Sequence, residues 1–424
     1  MVRKERCLIG FYGVFLCCSF FAPLLVGAHC AEPAASKTPE EILADPELTA
    51  GLSWFERNWE ILQCREIYYT GSNCRQKIIP NNKSPLESQF DDRECRFRCM
   101  CGDHIIYRYE IIEILGQGAY GDVIKAFDHK LKRYVAIKIT KSGEIYTKAG
   151  DRESRFLNSL QMRQKQGEER TSVLFQTASF RGHFFLVLEL VEGGDLSAAL
   201  KREKDLSGGR GFSLNQVQHI SHELLRALVL LQGQNIIHAD LKPQNILCAD
   251  EGRRLILADF GLSVIASSQL NATVQTRWYR APEVILSADY GLPIDMWSLG
   301  CMLAELYTGI PLFPGRDESE QLEYQMKVLG EIPEAVRRRA LNNTPFLLAT
   351  WALKRKKHNV GSKKRLEEVL GSDADPDFVD FILRFLALDP DVRMTPEEAL
   401  RHPFMTKDMC QQDVFLVWMQ DFMQ

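Results

Sequence analysis

The chain of 424 residues is long enough for two or three domains, or for one large two-lobed domain with extensions. Hydrophobic residues make up 45% and charged residues 25%, the balance of an ordinary globular protein. A net charge of −4 points to no particular partner and gives no support to nucleic-acid binding as a primary role.

In chain order, residues 7–28 carry no charge, and Arg3, Lys4 and Arg6 precede them. Val26-Gly27-Ala28 supplies the small residues of a signal-peptide cleavage site. The run is also long enough to cross a bilayer as an uncleaved anchor. Pro23 and the small residues after it favour cleavage, so residues 1–28 are expected to direct the chain into the secretory pathway, with membrane anchoring as the alternative. Residues 29–60 are polar and hold Pro33, Pro39 and Pro46, the composition of a linker with little helix. Residues 61–104 have no clear period and collect Cys64, Cys74, Cys95, Cys99 and Cys101. In an oxidising lumen these, with Cys30, would form disulfides, whereas Cys95-x3-Cys99-x-Cys101 is poor spacing for zinc. Asn82, Asn271 and Asn342 head potential glycan acceptor triplets.

From Tyr107 the pattern turns strand-like. Residues 109–115, 123–127 and 134–140 read as three consecutive antiparallel strands, and residues 148–163 as a helix carrying Glu153. Strand-like residues 184–188 end at a polar stretch, Glu189 to Asp195. Ser213 and Gln216 form a capping box ahead of a helix whose Val217, Ile220, Leu224, Leu228 and Leu231 line one face. Residues 295–308 are apolar enough for a central buried helix. The basic runs within residues 337–365 read as a solvated loop, and the apolar residues 414–423 as a tail packed back on the domain.

Five motifs fall in one order along this stretch: Gly116-Gln-Gly118-Ala-Tyr-Gly121-Asp-Val123, Val135-Ala136-Ile137-Lys138, His238-Ala239-Asp240-Leu-Lys242-Pro-Gln-Asn245, Asp259-Phe260-Gly261 and Ala281-Pro282-Glu283. A lone glycine turn is weak evidence, but five matches in register leave little to chance. Together they resemble the signature set of a eukaryotic protein kinase. The resemblance implies an α+β, two-lobed fold over residues 109–404: a small β-rich lobe to residue 191 with one regulatory helix, and a larger, mainly helical lobe from residue 192. Residues 1–28, 29–104 and 405–424 are then a leader, a linker with the cysteine-rich segment, and a tail.

The chemistry suits the residue types. Gly116, Gly118 and Gly121 carry no Cβ to block a backbone from a triphosphate. Strand alternation puts Ala136 and Lys138 on one face, so Ala136 and Val123 would roof an adenine while Lys138 reaches the phosphates, steadied by Glu153. Asp240 would orient the proton of the attacking hydroxyl, Lys242 would steady the transferring phosphoryl group, and Asn245 and Asp259 would hold Mg²⁺. The resemblance also implies that Leu115 and Leu247 enclose the adenine and that Leu188 guards the pocket behind it. By the same resemblance, Glu189 and Val191 would pair with the base through their backbones, and Asp195 would meet the ribose. Glu283 with Arg393 and Asp295 beneath the catalytic loop would be structural.

Lys242, with Thr276 ahead of Arg277-Trp-Tyr-Arg-Ala-Pro-Glu, looks like a serine/threonine kinase using ATP on protein substrates, with a monomeric kinase domain. Residues 103–110, 290–300 and 388–404 resemble the DYRK family of dual-specificity kinases in the CMGC group. Three features differ: Asn271-Ala-Thr273 stands where that family shows Tyr-x-Tyr, Ala239, in place of its usual cysteine, is shared with the pre-mRNA-splicing kinases, and Glu192-Gly-Gly-Asp195 is a general kinase hinge rather than that family's. Ala239 also offers no charge to a loop phosphate, so a loop held by Trp278 and Tyr279 is expected to act without one. The alternatives are a pseudokinase-like binding scaffold and a secreted cysteine-rich interaction protein with an appended kinase domain.

Overall fold

The computed structural model describes residues 34–80, 89–165, 167–266, 273–340 and 362–407. The run 7–28, Asn82, Asn271, Asn342, the basic residues 354–357 and the tail 414–423 lie outside the described residues.

A six-stranded antiparallel sheet forms the smaller lobe. Its strands are β1 (His104–Ile105), β2 (Tyr109–Gln117), β3 (Gly121–Asp128), β4 (Arg133–Thr140), β5 (Leu174–Phe180) and β6 (His183–Glu189), in the order β1-β2-β3-β4-β6-β5. Period-two patterning sets the faces. Along β4, Val135, Ile137 and Ile139 enter the lobe's own core, while Ala136 and Lys138 turn the other way. Gly121 is fixed by close approach: a Cβ there would stand 1.9 Å from the Ile139 carbonyl oxygen, at a φ of +156°.

Two short helices, α1 (Pro39–Ala44) and α2 (Pro46–Thr49), come first among the described residues. They overturn the reading of residues 29–60 as a linker with little helix. Pro39 and Pro46 sit in the first turn, where no backbone N–H is needed, and the Thr38 and Asp45 side chains cap the free amides. Next come α3 (Glu144–Gln161), against the sheet, then α4 (Leu196–Ser207) and α5 (Leu214–Gln232), the last with the Ser213–Gln216 capping box in place. Paired strands β7 (Ile236–Ile237) and β10 (Val264–Ile265), and β8 (Ile246–Ala249) and β9 (Arg254–Leu257), frame residues 238–261.

The larger lobe continues with α6 (Pro282–Ile285), α7 (Pro293–Thr308), α8 (Glu318–Leu329), α9 (Glu334–Ala340), α10 (Ser362–Leu370), α11 (Pro376–Phe385), α12 (Pro396–Ala399) and α13 (Pro403–Thr406). Helix α7 is buried from Ile294 through Leu306 and is the axis of the main core. The basic runs at 337–339 and 363–365 lie on α9 and α10, not in a loop. Arg337 and Arg338 pair with Glu334, and Arg339 pairs with Asp391.

Ile42, Leu52, Ile61, Ile67 and Tyr107 form a small core of their own, and the segment that carries the first four docks on the sheet. Arg181, at the β5–β6 turn, bonds Glu56 and Glu60 at 3.1 and 2.8 Å, and Lys77 bonds Glu56 at 2.9 Å. Glu56, Glu60 and His104 have ligand-like spacing, but these two cations already neutralise the carboxylates. Cys64, Cys74, Cys95, Cys99 and Cys101 stand as free thiols, contrary to the expected disulfides. This segment is held instead by burial and charge pairs. Burial pushes the Cys99 thiol up to about 12 and, ahead of the Glu60 charge, the Cys64 thiol up to about 11.

Candidate active site

The cleft between the lobes gathers residues that lie far apart in sequence. Lys138 on β4 donates to both carboxylate oxygens of Glu153 on α3 at 2.7 Å, and to Asp259 at 2.7 Å. Burial works to lower the Lys138 pKa, yet the Glu153 and Asp259 carboxylates outweigh it and hold the ammonium charged. Burial also pushes the Glu153 carboxyl up. For Asp259 it is overcome by Lys138, which brings that group down to about 2. Arg152 on α3 donates to the Gly261 carbonyl at 3.0 Å, tying the helix to the Asp-Phe-Gly turn.

Asp240 is the hub of the larger lobe's half. Its carboxylate accepts from Lys242 Nζ at 2.6 Å, from the Thr276 hydroxyl at 2.7 Å and from the Thr276 amide at 3.0 Å. Asn245 Nδ2 donates to the Asp240 carbonyl at 2.8 Å and to its carboxylate at 3.1 Å, which turns Oδ1 of the amide the other way. Below, Asp295 of α7 accepts from the His238 and Ala239 amides at 2.7 and 2.9 Å, so a helix from the core carries the catalytic stretch. Burial pushes the Asp295 carboxyl up, and the two amides are its compensation. The His238 ring lies edge-on to Phe260, 5.0 Å between centroids, and contacts the Ala258 carbonyl at 3.0 Å.

The remaining candidates sit along the cleft. Val123 is the register partner of Lys138, and Ala136 of Leu188. Leu115 lies half exposed on β2, before the glycine turn. Asp195 bridges Leu247, and its carboxylate caps α4 by accepting from the Ala198 amide at 2.8 Å. Gly116 has open space where a Cβ would stand, and a Cβ on Gly118 would meet the Gly121 carbonyl oxygen at 3.4 Å, an ordinary contact, so no neighbouring backbone demands a glycine at either. Glu189 donates its amide to the Val173 carbonyl at 3.0 Å, and Val191 follows it at the lobe junction. Asn245 and Asp259 offer oxygen donors of the kind a divalent cation takes, and both lie against Asp240 or Lys138.

Sequence reasoning overlooked two partners. Thr276 was singled out only for its place before Arg277, yet it bonds Asp240 directly. Its distance in sequence hid the contact. Arg280, read in the sequence as part of the Arg277–Glu283 stretch, has its guanidinium already engaged. It donates to the Val274 and Gln275 carbonyls at 3.0 and 2.8 Å and to Glu318 at 2.8 Å. Trp278 is 41% exposed and holds the loop less than expected, whereas Tyr279 is buried and bonds Glu305 at 2.6 Å. Buried Gln275 adds bonds to Ile294, Ser298 and Ala281 at 2.8–2.9 Å.

The protein kinase domain model matches residues 109–405. Dual specificity tyrosine-phosphorylation-regulated kinase mbk-2 of Caenorhabditis elegans is 36% identical over 377 residues, covering 83% of this chain and 45% of that protein. Kinase 3 of the same description from Rattus norvegicus is 36% identical over 397 residues, covering 87% and 65%. The Homo sapiens kinase 3 is 33% identical over 407 residues, covering 89% and 67%. The chain thus spans 45% to 67% of the length of these relatives. Lobes, cleft residues and sequence identity agree along one stretch, and the chain belongs to the protein kinase family, in its dual-specificity tyrosine-phosphorylation-regulated (DYRK) branch.

Proposed function

We propose that the chain transfers the γ-phosphate of ATP to serine or threonine hydroxyls of proteins. One observation carries this: Asp240 is held at once by Lys242, Thr276 and Asn245, across the cleft from a charged Lys138. The carboxylate so fixed accepts or orients the proton of the incoming hydroxyl. Lys242, bonded to Asp240, steadies the transferring group, and Lys138 holds the α- and β-phosphates. Mg²⁺, bound by Asn245 and Asp259, would neutralise charge on the phosphate oxygens. Leu115, Val123, Ala136 and Leu247 enclose the adenine, Glu189 and Val191 meet its edge through their backbones, and Asp195 meets the ribose. The names of the relatives suggest that tyrosine can be a target as well. The full cleft constellation favours catalysis over a pseudokinase scaffold.

The test is phosphate transfer from Mg·ATP to protein by the purified chain. Asp240→Asn and Lys138→Met should each cut turnover by about 10²-fold or more while leaving the fold intact. Full activity in Asp240→Asn would overturn the mechanism.

For the compartment, we propose that residues 1–28 lead the chain into the secretory pathway. The support is the basic start, the uncharged run and the small residues after it. Among the described residues no helix is long and apolar enough to cross a membrane. N-terminal sequencing of the mature protein decides it, and a retained Met1 on cytosolic protein would end the proposal.

A further inference from the structure

The glycine turn between β2 and β3 is held from outside by a residue that precedes the kinase match. Arg96 Nη2 donates to the Gly118 carbonyl at 2.8 Å, and Nη1 pairs with the Asp122 carboxylate and lies 3.5 Å from the Gly121 carbonyl. Its Nε donates to Glu94 at 3.1 Å. The Arg96 side chain is 15% exposed and that of Asp122 5%.

The arginine is itself anchored. Its amide and that of Glu94 donate to the Asp92 side chain at 2.9 and 2.8 Å, closing a tight turn. The Cys95 carbonyl accepts from the Ser142 amide, just past β4, at 2.9 Å. Asp91 takes His183 Nε2 at 2.7 Å, and Phe97 packs edge-on against His183 and Phe185. The turn therefore rests on β4 and β6, and its arginine reaches over the loop.

We infer that Arg96 is a positioning residue of the nucleotide site, setting the glycine turn in its ligand-ready shape before ATP arrives. This deepens the kinase reading and rests on it. A turn rich in glycine loses much conformational freedom when a ligand orders it, and that loss weakens binding. A guanidinium that fixes the turn beforehand removes part of the loss. It also holds the Gly118 carbonyl, whose negative end would otherwise be free to swing toward the phosphates and repel them.

The test measures KM for ATP, kcat, KM for the protein substrate, melting temperature and direct affinity for a fluorescent ATP analogue in Arg96→Met, Arg96→Lys and Asp122→Asn. Arg96→Met should raise the ATP KM and the analogue Kd by about tenfold, leaving kcat and the protein-substrate KM within about twofold. That tenfold change is about 1.4 kcal/mol. Arg96→Lys keeps one point contact and should fall between, as should Asp122→Asn, which keeps the Gly118 bond. Unchanged ATP KM and analogue Kd in Arg96→Met would overturn the inference, as would a fall in kcat at constant KM. If Arg96→Met does not fold, the Arg96→Lys and Asp122→Asn affinities decide by the same criterion. If the wild-type chain binds the analogue but transfers no phosphate, the kinase reading fails while the affinity ratio still judges Arg96.

Discussion

At the scale of single residues, the two lobes meet through charge. Lys138 spans Glu153 on one side and Asp259 on the other, so removing Glu153 leaves the ammonium free to follow Asp259 alone. Glu153→Gln should lower kcat by about tenfold or more, with little change in melting temperature, in steady-state assays with thermal denaturation alongside. A second residue-scale expectation concerns acid. The Tyr107 amide donates to His104 Nδ1, so the ring proton sits on Nε2 and faces Glu56 at 2.8 Å. Burial lowers the His104 pKa below 6.5, and Glu56 stays ionised, lowered by His104, Lys77 and Arg181 against the pull of burial. A group whose folded pKa is depressed stabilises the fold above its unfolded pKa and loses that contribution as pH falls. Melting temperature should therefore fall as pH drops below about 6.5, and His104→Gln should flatten that slope. The motif residues were legible in the sequence because phosphate chemistry fixes their types and spacing. Thr276 and Arg96 were not, since each acts on a partner that only the folded chain brings near.

At the scale of elements, the stretch before Ala281-Pro282-Glu283 is fastened by Arg280, Tyr279 and Gln275. Arg280 is shared among two backbone carbonyls and Glu318 at the start of α8, where a carboxylate supplies the counter-charge. Exhaustive phosphatase treatment and Thr273→Ala should each leave initial rates within about twofold, whereas Glu318→Ala should lower them by about fivefold or more; a tenfold loss after phosphatase would show that a phosphate is required. Helix α7 packs so closely on α11 that a Cβ on Gly300 would stand 2.6 Å from that of Phe385. Gly300→Ala should destabilise by about 1–3 kcal/mol, measured by denaturant unfolding. Helix α5 could be read from periodicity and its capping box, and α7 from being apolar nearly all round. The short helices α1 and α2 could not, because a proline signals a helix start and a linker equally well until its neighbours are known. Strand β5, at the sheet edge, was passed over because adjacent Gln176 and Thr177 break any alternation of polar and apolar residues.

At the scale of the whole molecule, the kinase match begins at Tyr109, but the folded body does not. Strand β1 comes from before that point, as do Phe90 and Phe97, which are buried in the smaller lobe's core. Arg181 is nearly buried among Glu56, Glu60 and Asp103, and a buried cation needs its partners. Glu56→Ala should cost about 3 kcal/mol, read from denaturant unfolding, and a chain begun at Tyr109 should melt well below the full chain. The sequence indicated two lobes and a preceding segment. Its docking escaped notice because irregular segments buried by charge pairs have no period to detect.

The distance along the chain between Arg181 and its carboxylates also bears on how the molecule comes to be folded. Glu56 and Glu60 leave the ribosome 125 and 121 residues ahead of the arginine that neutralises them. Until then Glu56 has Lys77 and His104 beside it but Glu60 lacks its guanidinium, and closing so long a loop is slow. The segment that carries Glu56 and Glu60 is thus made before the kinase match and is among the last parts finished. Pulsed hydrogen exchange during refolding should show the Ile67–Tyr69 amides gaining protection after those of β3 and β4.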